Sequence, residues 1–394
     1  MKTLTFKAGF DRREFFQMMS AMGMAAAFTP HWVGTLWGQN SAPPEKPATN
    51  IQEALQHPRT DASLPGKFPG TVVAAYHSES VVNNRPDYAR INRLLESCLL
   101  TLTGASSLKN AWREFVSPKD IIGLKVNPVA GKQLSTSPEI VQAVIGQLEA
   151  AGIPRKNIVI WDRREFQLHE AGFSAKNFPG IQIIGTEYQD ENGSFYDAEG
   201  KLYGENRIDR EWYYWADCEM EYDRDTLPYM INQGKYSYFS FIPTKKVSKI
   251  INIPILKNAG PTVTLCLKNL AYGSISNTAR LHKTLWAETC AQVPCFPPLR
   301  DKVVLNIVDG IRGCYDGGPG AKPQFFTDYK TILVGTDPVA VDRIGYEIVL
   351  KKRLAEKVQK EESPRGQLFM NMAQEYGLGI AQLEKITHQK LNMG

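Results

Sequence analysis

The sequence predicts an α/β fold with a mostly parallel sheet, helices on both faces and an aromatic, hairpin-rich insertion. Two observations carry this prediction. The strand-like segments are continuous runs of Val, Ile and Leu, which is typical of strands buried on both faces. They also alternate with helical patterns, and strand–helix–strand units of this kind connect parallel strands.

The first elements follow one another in that order. A strand is predicted at Thr71–Tyr76 and another at 120–126. Thr136–Glu139 then has the spacing of a capping box with a proline near the first turn, and apolar residues recur at the helical period up to Leu148. A third strand over 157–161 completes a unit of strand, helix and strand.

The alternation continues in the C-terminal half. A second helix begins at Asp337-Pro338, where Asp337 can cap the first turn. Further strands are predicted at 181–184, 249–255, 302–308 and 331–334.

Residues 186–238 interrupt this alternation. The stretch is acidic and aromatic, with Trp212-Tyr213-Tyr214-Trp215 and turn sequences at Asn192-Gly193 and Glu199-Gly200. It is interpreted as an insertion over the sheet. Its aromatic residues either form a small core of their own or present a surface that binds a sugar ring or a partner.

The N-terminal residues resemble a twin-arginine export signal. Lys2 and Lys7 precede Arg12-Arg13-Glu14-Phe15, and an uncharged apolar run continues to Phe28. An amphipathic surface helix is the alternative. We expect residues 1–37 to be the signal, 38–70 a Pro-rich tether and 71–394 the α/β domain, with the twin-arginine machinery as a partner and a periplasmic or otherwise exported location.

Composition excludes several classes of protein. The chain has 46 Lys and Arg against 41 Asp and Glu, and this net charge of +5 over 394 residues does not indicate nucleic-acid binding. The mean hydropathy is −0.31 and no long uncharged apolar stretch occurs, so no stable membrane span is expected after processing. A disulfide mini-scaffold and a mainly disordered chain are excluded as well.

The cysteines leave two possibilities open. An even number in an exported chain permits disulfides, whereas single buried thiols need no partner. Their spacing lacks a Cys-x2-Cys pair, so no metal ligands are predicted and no cofactor is identified. The six residues are Cys98, Cys218, Cys266, Cys290, Cys295 and Cys314.

Polar residues follow most of the predicted strands. Parallel strands of one sheet end at the same edge, which is where ligands bind in such folds. We expect the cations among these residues to line one cleft for a small anionic molecule, with Asp162 or Asp309 within hydrogen-bond reach of at least one. His282 and Lys268 are the predicted catalytic residues, because Arg280 and Lys283 would lower the pKa of His282 and leave a neutral base. The predicted binding residues are Lys125, Asn127, Thr136, Asp162, Lys257, Asn269, Arg280, Asp309 and Asp316.

Seven segments carry a resemblance to a known family: Lys125-Val126-Asn127, 134–139, 157–163, 267–274, 277–282, Asp316-Gly317-Gly318-Pro319 and 337–342. Together they resemble the family called domain of unknown function 362, from about Thr71 to Gly379. The resemblance implies the fold and the position of the pocket but no reaction. Some members carry a ferredoxin-like Cys-x2-Cys extension, which this chain lacks.

Three functional hypotheses follow. The first is an exported protein that binds or converts a small anionic metabolite at the strand ends. The second is a protein that handles a cofactor or metal, or assists redox chemistry, through Cys290, Cys295 and Cys314. The third is a non-catalytic binding or scaffold protein that uses the Trp212–Trp215 cluster.

Overall fold

The computed structural model describes residues 46–218 and 234–394. The strands are β1 (Thr71–Tyr76), β2 (Val81–Val82), β3 (Arg85–Pro86), β4 (Ile122–Val126), β5 (Ile158–Arg164), β6 (Gln182–Glu187), β7 (Ile208–Trp215), β8 (Tyr236–Ser240), β9 (Lys249–Ile253), β10 (Ile255–Ala259), β11 (Thr262–Val263), β12 (Val303–Cys314), β13 (Phe326–Thr327), β14 (Thr331–Gly335) and β15 (Thr387–Asn392). The helices are α1 (Ile51–Gln56), α2 (Tyr88–Thr103), α3 (Leu108–Arg113), α4 (Pro138–Ala150), α5 (Glu165–Glu170), α6 (Cys266–Ser274), α7 (Leu281–Thr284), α8 (Trp286–Gln292), α9 (Pro297–Arg300), α10 (Pro338–Ala355) and α11 (Leu368–Glu375).

The main sheet has the strand order β15-β1-β14-β12-β9-β4-β5-β6. The pairs from β12 through β9, β4 and β5 to β6 are parallel, and so is the pair β1–β15. Strand β14 runs antiparallel to both of its neighbours, β1 and β12. The predicted α/β fold with a mostly parallel sheet is therefore confirmed.

Helices cover both faces of this sheet. Buried residues of α6, α8, α10 and α11 form one apolar core with side chains such as Trp161 and Ile250. Buried residues of α2, α3, α4 and α5 form a second core with Leu124, Ile160 and Ile251. Successive strand residues thus contribute to opposite cores, which explains why the strands are continuous apolar runs.

Two strands differ from the prediction in length. The segment predicted as one strand over 249–255 is two strands, β9 and β10, on either side of Pro254. Proline has no N–H to donate to the sheet, so the pairing changes there. Strand β12 continues beyond the predicted end to Cys314, because its second half pairs with β10.

The start of α4 also differs from the predicted capping box. Ser137 is the N-cap residue, but its side chain makes no capping hydrogen bond. The Thr136 hydroxyl accepts from the Asn127 N–H at 2.9 Å and donates to the Ile253 carbonyl at 2.6 Å. Thr136 therefore joins two loops, whereas Asp337 caps α10 as predicted.

Residues 46–70 require a correction to the predicted tether. They are part of the folded body, since α1 buries Ile51 and Ala54, and Leu64 is fully buried. The Asn50 side chain accepts from the Trp215 N–H at 2.8 Å. Apolar residues spaced among the prolines allow this segment to pack. Residues 38–45 lie outside the described part of the chain.

The insertion contains a separate two-stranded sheet, β7 with β8. Tyr214 of β7 is fully buried, while the Tyr213 ring lies 5.1 Å from Tyr236 and 6.3 Å from Tyr238 between ring centroids. The aromatic residues thus supply the packing of this sheet. The part of the insertion over 219–233 lies outside the described residues.

The predicted export signal, residues 1–37, lies outside the described residues as well. Within the described part of the chain, no helix is both long and apolar enough to cross a membrane.

Candidate functional site

A buried ion pair joins the ends of two neighbouring strands. Lys125 near the end of β4 is fully buried, and its ammonium donates to Oδ1 of Asp162 in β5. It also donates to the Val126 carbonyl at 2.9 Å and to Oδ1 of Asn269 at 3.1 Å. Burial lowers the pKa of Lys125, and Asp162 opposes that shift. The expected contact between Asp162 and a strand-end cation is present.

Helix α6 brings Asn269 to this pair. The helix starts beneath the Asp342 carboxylate, which accepts from the N–H groups of Cys266 and Leu267 at 2.6 and 3.0 Å. Burial raises the pKa of Asp342 to about 7, and these two amides oppose the rise. Gly273 lies against the ion pair, because a Cβ placed there would contact the Lys125 ammonium and come within 2.9 Å of Asp162 Oδ1.

Two further asparagines extend the network beneath α6. The Asn269 amide donates to Oδ1 of Asn252 at 2.8 Å, and Asn252 donates to Oδ1 of Asn306 at 2.9 Å. Both Asn252 and Asn306 are fully buried. Neither asparagine was among the predicted residues, although an asparagine inside an apolar strand must find hydrogen-bond partners and was a usable signal.

The neighbouring residue Lys268 is in a different situation. It is partly buried, and its ammonium makes no hydrogen bond or ion pair within residues 46–218 and 234–394. It lies 5.6 Å from the centre of the Tyr272 ring. Burial lowers the pKa of Lys268, with the Cys290 sulfur acting in the opposite direction. No carboxylate therefore compensates this charge in the described chain.

His282 lies beside Tyr272, with 4.3 Å between the ring centroids. Its Nδ1 is 3.0 Å from the Thr278 carbonyl oxygen, which can only accept. The proton of neutral His282 is thus on Nδ1, and Nε2 carries the lone pair. The side chain is exposed, yet the protein atoms around it lower its pKa, and Lys268 and Arg163 lower it further.

The structure changes the reason for a neutral His282. The lowered pKa was expected from Arg280 and Lys283, whereas desolvation by the surrounding protein is its largest cause and the contributing cations are Lys268, Arg163 and Arg164. Arg163 donates to the Thr278 hydroxyl and faces Glu187, with 3.6 Å between Nε and Oε1. Thr278 thus contacts both Arg163 and His282.

Lys257 lies under the loop that follows β4. Its ammonium is fully buried and donates to Asn127 Oδ1, the Val129 carbonyl and the Leu134 carbonyl at 3.1 to 3.2 Å. Burial lowers its pKa to about 7, Cys314 opposes this shift and Lys268 adds to it. These contacts hold the loop in place.

Arg280 and Asp316 have roles other than those predicted. Arg280 is buried, and its guanidinium donates to the carbonyls of Ala216, Cys218 and Lys235, which ties the insertion to the body. Asp316 forms an ion pair with Arg353 of α10. Both side chains are therefore engaged in holding neighbouring segments.

Asp309 lies on the opposite face of the sheet from α6. It is 1% exposed and accepts from the Ser137 N–H at 2.8 Å and the Ile311 N–H at 3.1 Å. It lines a cleft of about 380 Å³ at the start of α4. Asp309 therefore lies apart from the polar residues beneath α6.

The cysteines are all free thiols. Burial raises the pKa of Cys290 and of Cys295 to about 12, so both are protonated near neutral pH. Within the described chain, no group of three or more His, Cys, Asp or Glu side chains is arranged to hold a metal ion.

Together, the fold and the site define an α/β protein with a buried polar network at the strand ends and an uncompensated lysine, Lys268, in helix α6. Residues 217–347 match the family model described as domain of unknown function (DUF362). This match covers about a third of the chain and supports the resemblance drawn from its motifs. It includes Lys268 and His282 but neither Lys125 nor Asp162.

The chain was also compared with curated proteins and with solved structures. No curated protein matches the chain. A structural genomics crystal structure from Thermotoga maritima is similar, with 8% sequence identity and a TM-score of 0.36. The similarity covers 69% of this chain and 60% of that chain, so the chain spans less than two thirds of that protein.

Proposed function

We propose that this protein binds a small anionic metabolite beside Lys268 and that His282 exchanges a proton with it. The observation that carries this proposal is the Lys268 ammonium. It is partly buried, its pKa is lowered by desolvation, and no carboxylate of the described chain pairs with it. An uncompensated cation is costly in such a place unless a ligand supplies the negative charge.

The other predicted cations already have acceptors. Lys125 is paired with Asp162, Lys257 donates to three oxygens, and Arg280 donates to backbone carbonyls. Lys268 differs from all of them in this respect. A carboxylate or phosphate of a metabolite is the chemistry that it would bind.

His282 supplies the proton transfer in this proposal. Its lowered pKa keeps the imidazole neutral at pH 7, with the proton on Nδ1 and the lone pair on Nε2. Nε2 makes no hydrogen bond in the described residues, so it is available to a ligand held by Lys268. A neutral base next to a cation suits removal of a proton from a substrate whose negative charge then grows.

The test is a thermal-shift and calorimetric screen of the purified protein with phosphate, acetate, malonate and citrate. We expect at least one of these anions to bind and raise the melting temperature. A ligand at a hundred times its Kd adds about 2.7 kcal/mol to the free energy of unfolding. Lys268→Met should abolish that shift, because it keeps the apolar stem and removes the charge.

Lys283→Met is the matched control, since Lys283 is an exposed lysine next to His282. It should leave the shift unchanged. The proposal fails if none of these anions binds, or if Lys268→Met and Lys283→Met bind them equally well. Once a converted substrate is known, His282→Gln should lower kcat much more than it weakens anion binding.

We also propose that residues 1–37 direct export by the twin-arginine route, which rests on Arg12-Arg13 and the apolar run behind them. A fusion of these residues to a reporter should reach the periplasm. Replacing both arginines by lysine should retain the fusion in the cytoplasm, whereas Lys7→Gln should leave its export unchanged. Equal export of all three fusions would contradict the signal.

A further inference from the structure

The cleft at the start of α4, here called the α4 cleft, lies on the sheet face opposite Lys268. Its volume of about 380 Å³ falls in the range of roughly 300–1,000 Å³ found for small-molecule sites. This is far more room than a bare metal ion fills, so a small organic ligand suits it better. Its lining includes Asp309, Glu139, Ser137 and Lys132.

The cleft is lined by two carboxylates, Asp309 and Glu139, that are not paired with a cation within the described chain. Asp309 is almost fully buried and has no cation within hydrogen-bond reach among the described residues, although each carboxylate oxygen can accept a further bond. Burial raises its pKa to about 6, and the charge of Glu139 adds to the rise. The Ser137 hydroxyl is shielded from solvent, and together with the Ser137 N–H it opposes this rise.

The two basic residues of the cleft differ in whether they are already paired. Arg312 is occupied, since it pairs with Asp328 at 2.8 Å and donates to the carbonyl and side-chain oxygens of Asn84. Lys132 is exposed and has no partner within the described chain. The cleft thus offers two carboxylates to a donor and one lysine to an acceptor.

We propose that the α4 cleft binds a small zwitterion of the amino-acid type, with its ammonium group on Asp309 and Glu139 and its carboxylate on Lys132. A primary ammonium has three donors, which matches two carboxylates and the Ser137 hydroxyl. A ligand with only an anionic group would face Asp309 and Glu139 uncompensated. A ligand with only an ammonium group would leave Lys132 unpaired.

The test is calorimetry of the purified protein with each standard L-amino acid. We expect at least one to bind, and its decarboxylated amine and its deaminated acid to bind at least tenfold more weakly, which is about 1.4 kcal/mol each. Glu139→Gln and Lys132→Ala should each weaken binding at least tenfold, and Asp309→Asn should abolish it. Glu149→Gln, at the far end of α4 and outside the cleft lining, should bind like the unchanged protein.

Three results would overturn the proposal: no amino acid binds, the deaminated acid binds as well as the amino acid, or Glu139→Gln and Lys132→Ala bind unchanged. The exposed position of Lys132 keeps the test valid even if Asp309→Asn fails to fold. The outcome is independent of the anion proposal. Lys268→Met should leave amino-acid binding unchanged, and Glu139→Gln should leave anion binding unchanged.

Discussion

Replacing Asp162 by Asn should be among the most damaging single changes at the strand ends. Lys125 is fully buried, and Asp162 is 5% exposed. The variant would remove the one carboxylate that contacts the Lys125 ammonium in the described chain and leave only neutral acceptors, among them the Val126 carbonyl and the Asn269 amide oxygen. Breaking a buried pair in this way costs about 3–5 kcal/mol, because an uncompensated charge stays buried.

The pH dependence gives this prediction its sign. The pKa of Lys125 is already lowered by burial in the presence of Asp162, and it should fall further without it. The unfolded chain then takes up a proton at a higher pH than the folded state does. Stability of the Asp162→Asn variant should therefore recover as the pH rises from 7 toward 10, by up to about 1.4 kcal/mol per pH unit.

The assay is urea unfolding followed by tryptophan fluorescence at several pH values. Glu114→Gln is the matched control, because Glu114 pairs with Lys67 at 3.0 Å on the surface and should cost less than about 1 kcal/mol. The double variant with Lys125→Met and Asp162→Asn should lose less than Asp162→Asn alone. The reasoning is refuted if Asp162→Asn costs no more than Glu114→Gln, or if high pH restores nothing.

Three further predictions concern the same region. Gly273→Ala should cost about 1–3 kcal/mol in urea unfolding, since its Cβ would contact the ion pair, while Gly320→Ala should change less than about 0.5 kcal/mol because nothing lies within 4 Å of that Cβ. Asn252→Ala should cost roughly 1–3 kcal/mol by leaving buried amide partners unsatisfied, and a neutral effect would contradict the network. Burial raises the pKa of Asp342 to about 7, so the folded state holds that proton more tightly than the unfolded chain and stability falls as the pH rises from about 4 to 7. Asp342→Asn should flatten this part of a plot of melting temperature against pH, and an unchanged slope would count against the assignment.

The fold could be predicted from sequence because burial on two faces leaves a direct signature. Strands such as β4 and β5 are continuous apolar runs, and the Asp337 cap is local to its helix. The packing of residues 46–70 could not be predicted in this way. Their composition is that of a linker, and the contacts that hold Asn50 and Leu64 come from distant residues, Trp215 and Arg300.

The candidate site could be predicted only in part. A residue at the end of a strand must lie near one edge of the sheet, but the strand pattern does not show on which face of the sheet its side chain lies. Asp162 or Asp309 was expected within hydrogen-bond reach of a strand-end cation, and Asp162 pairs with Lys125. Asp309 was expected beside them, but its position in β12 directs it to the face covered by α4. Arg280 was expected to face a ligand, yet a guanidinium with five donors is equally suited to bind the carbonyls of a folded insertion.

Two adjacent residues of α6 differ in role: one stabilises the buried network, and the other is proposed to bind the anion. A last prediction follows from this difference. Asn269 belongs to the buried network, whereas Lys268 has no acceptor in the described chain. Lys268→Met should therefore raise the free energy of unfolding by about 0.5–2 kcal/mol at pH 7, since it removes a partly desolvated charge and keeps its apolar contacts. This gain should shrink toward pH 10, because the lowered pKa of Lys268 lets the folded state lose this proton at a lower pH than the unfolded chain. Lys283→Met should leave stability unchanged in the same urea titrations. A Lys268→Met variant less stable than the unchanged protein would show that Lys268 stabilises the fold, and the anion proposal would lose the observation that carries it.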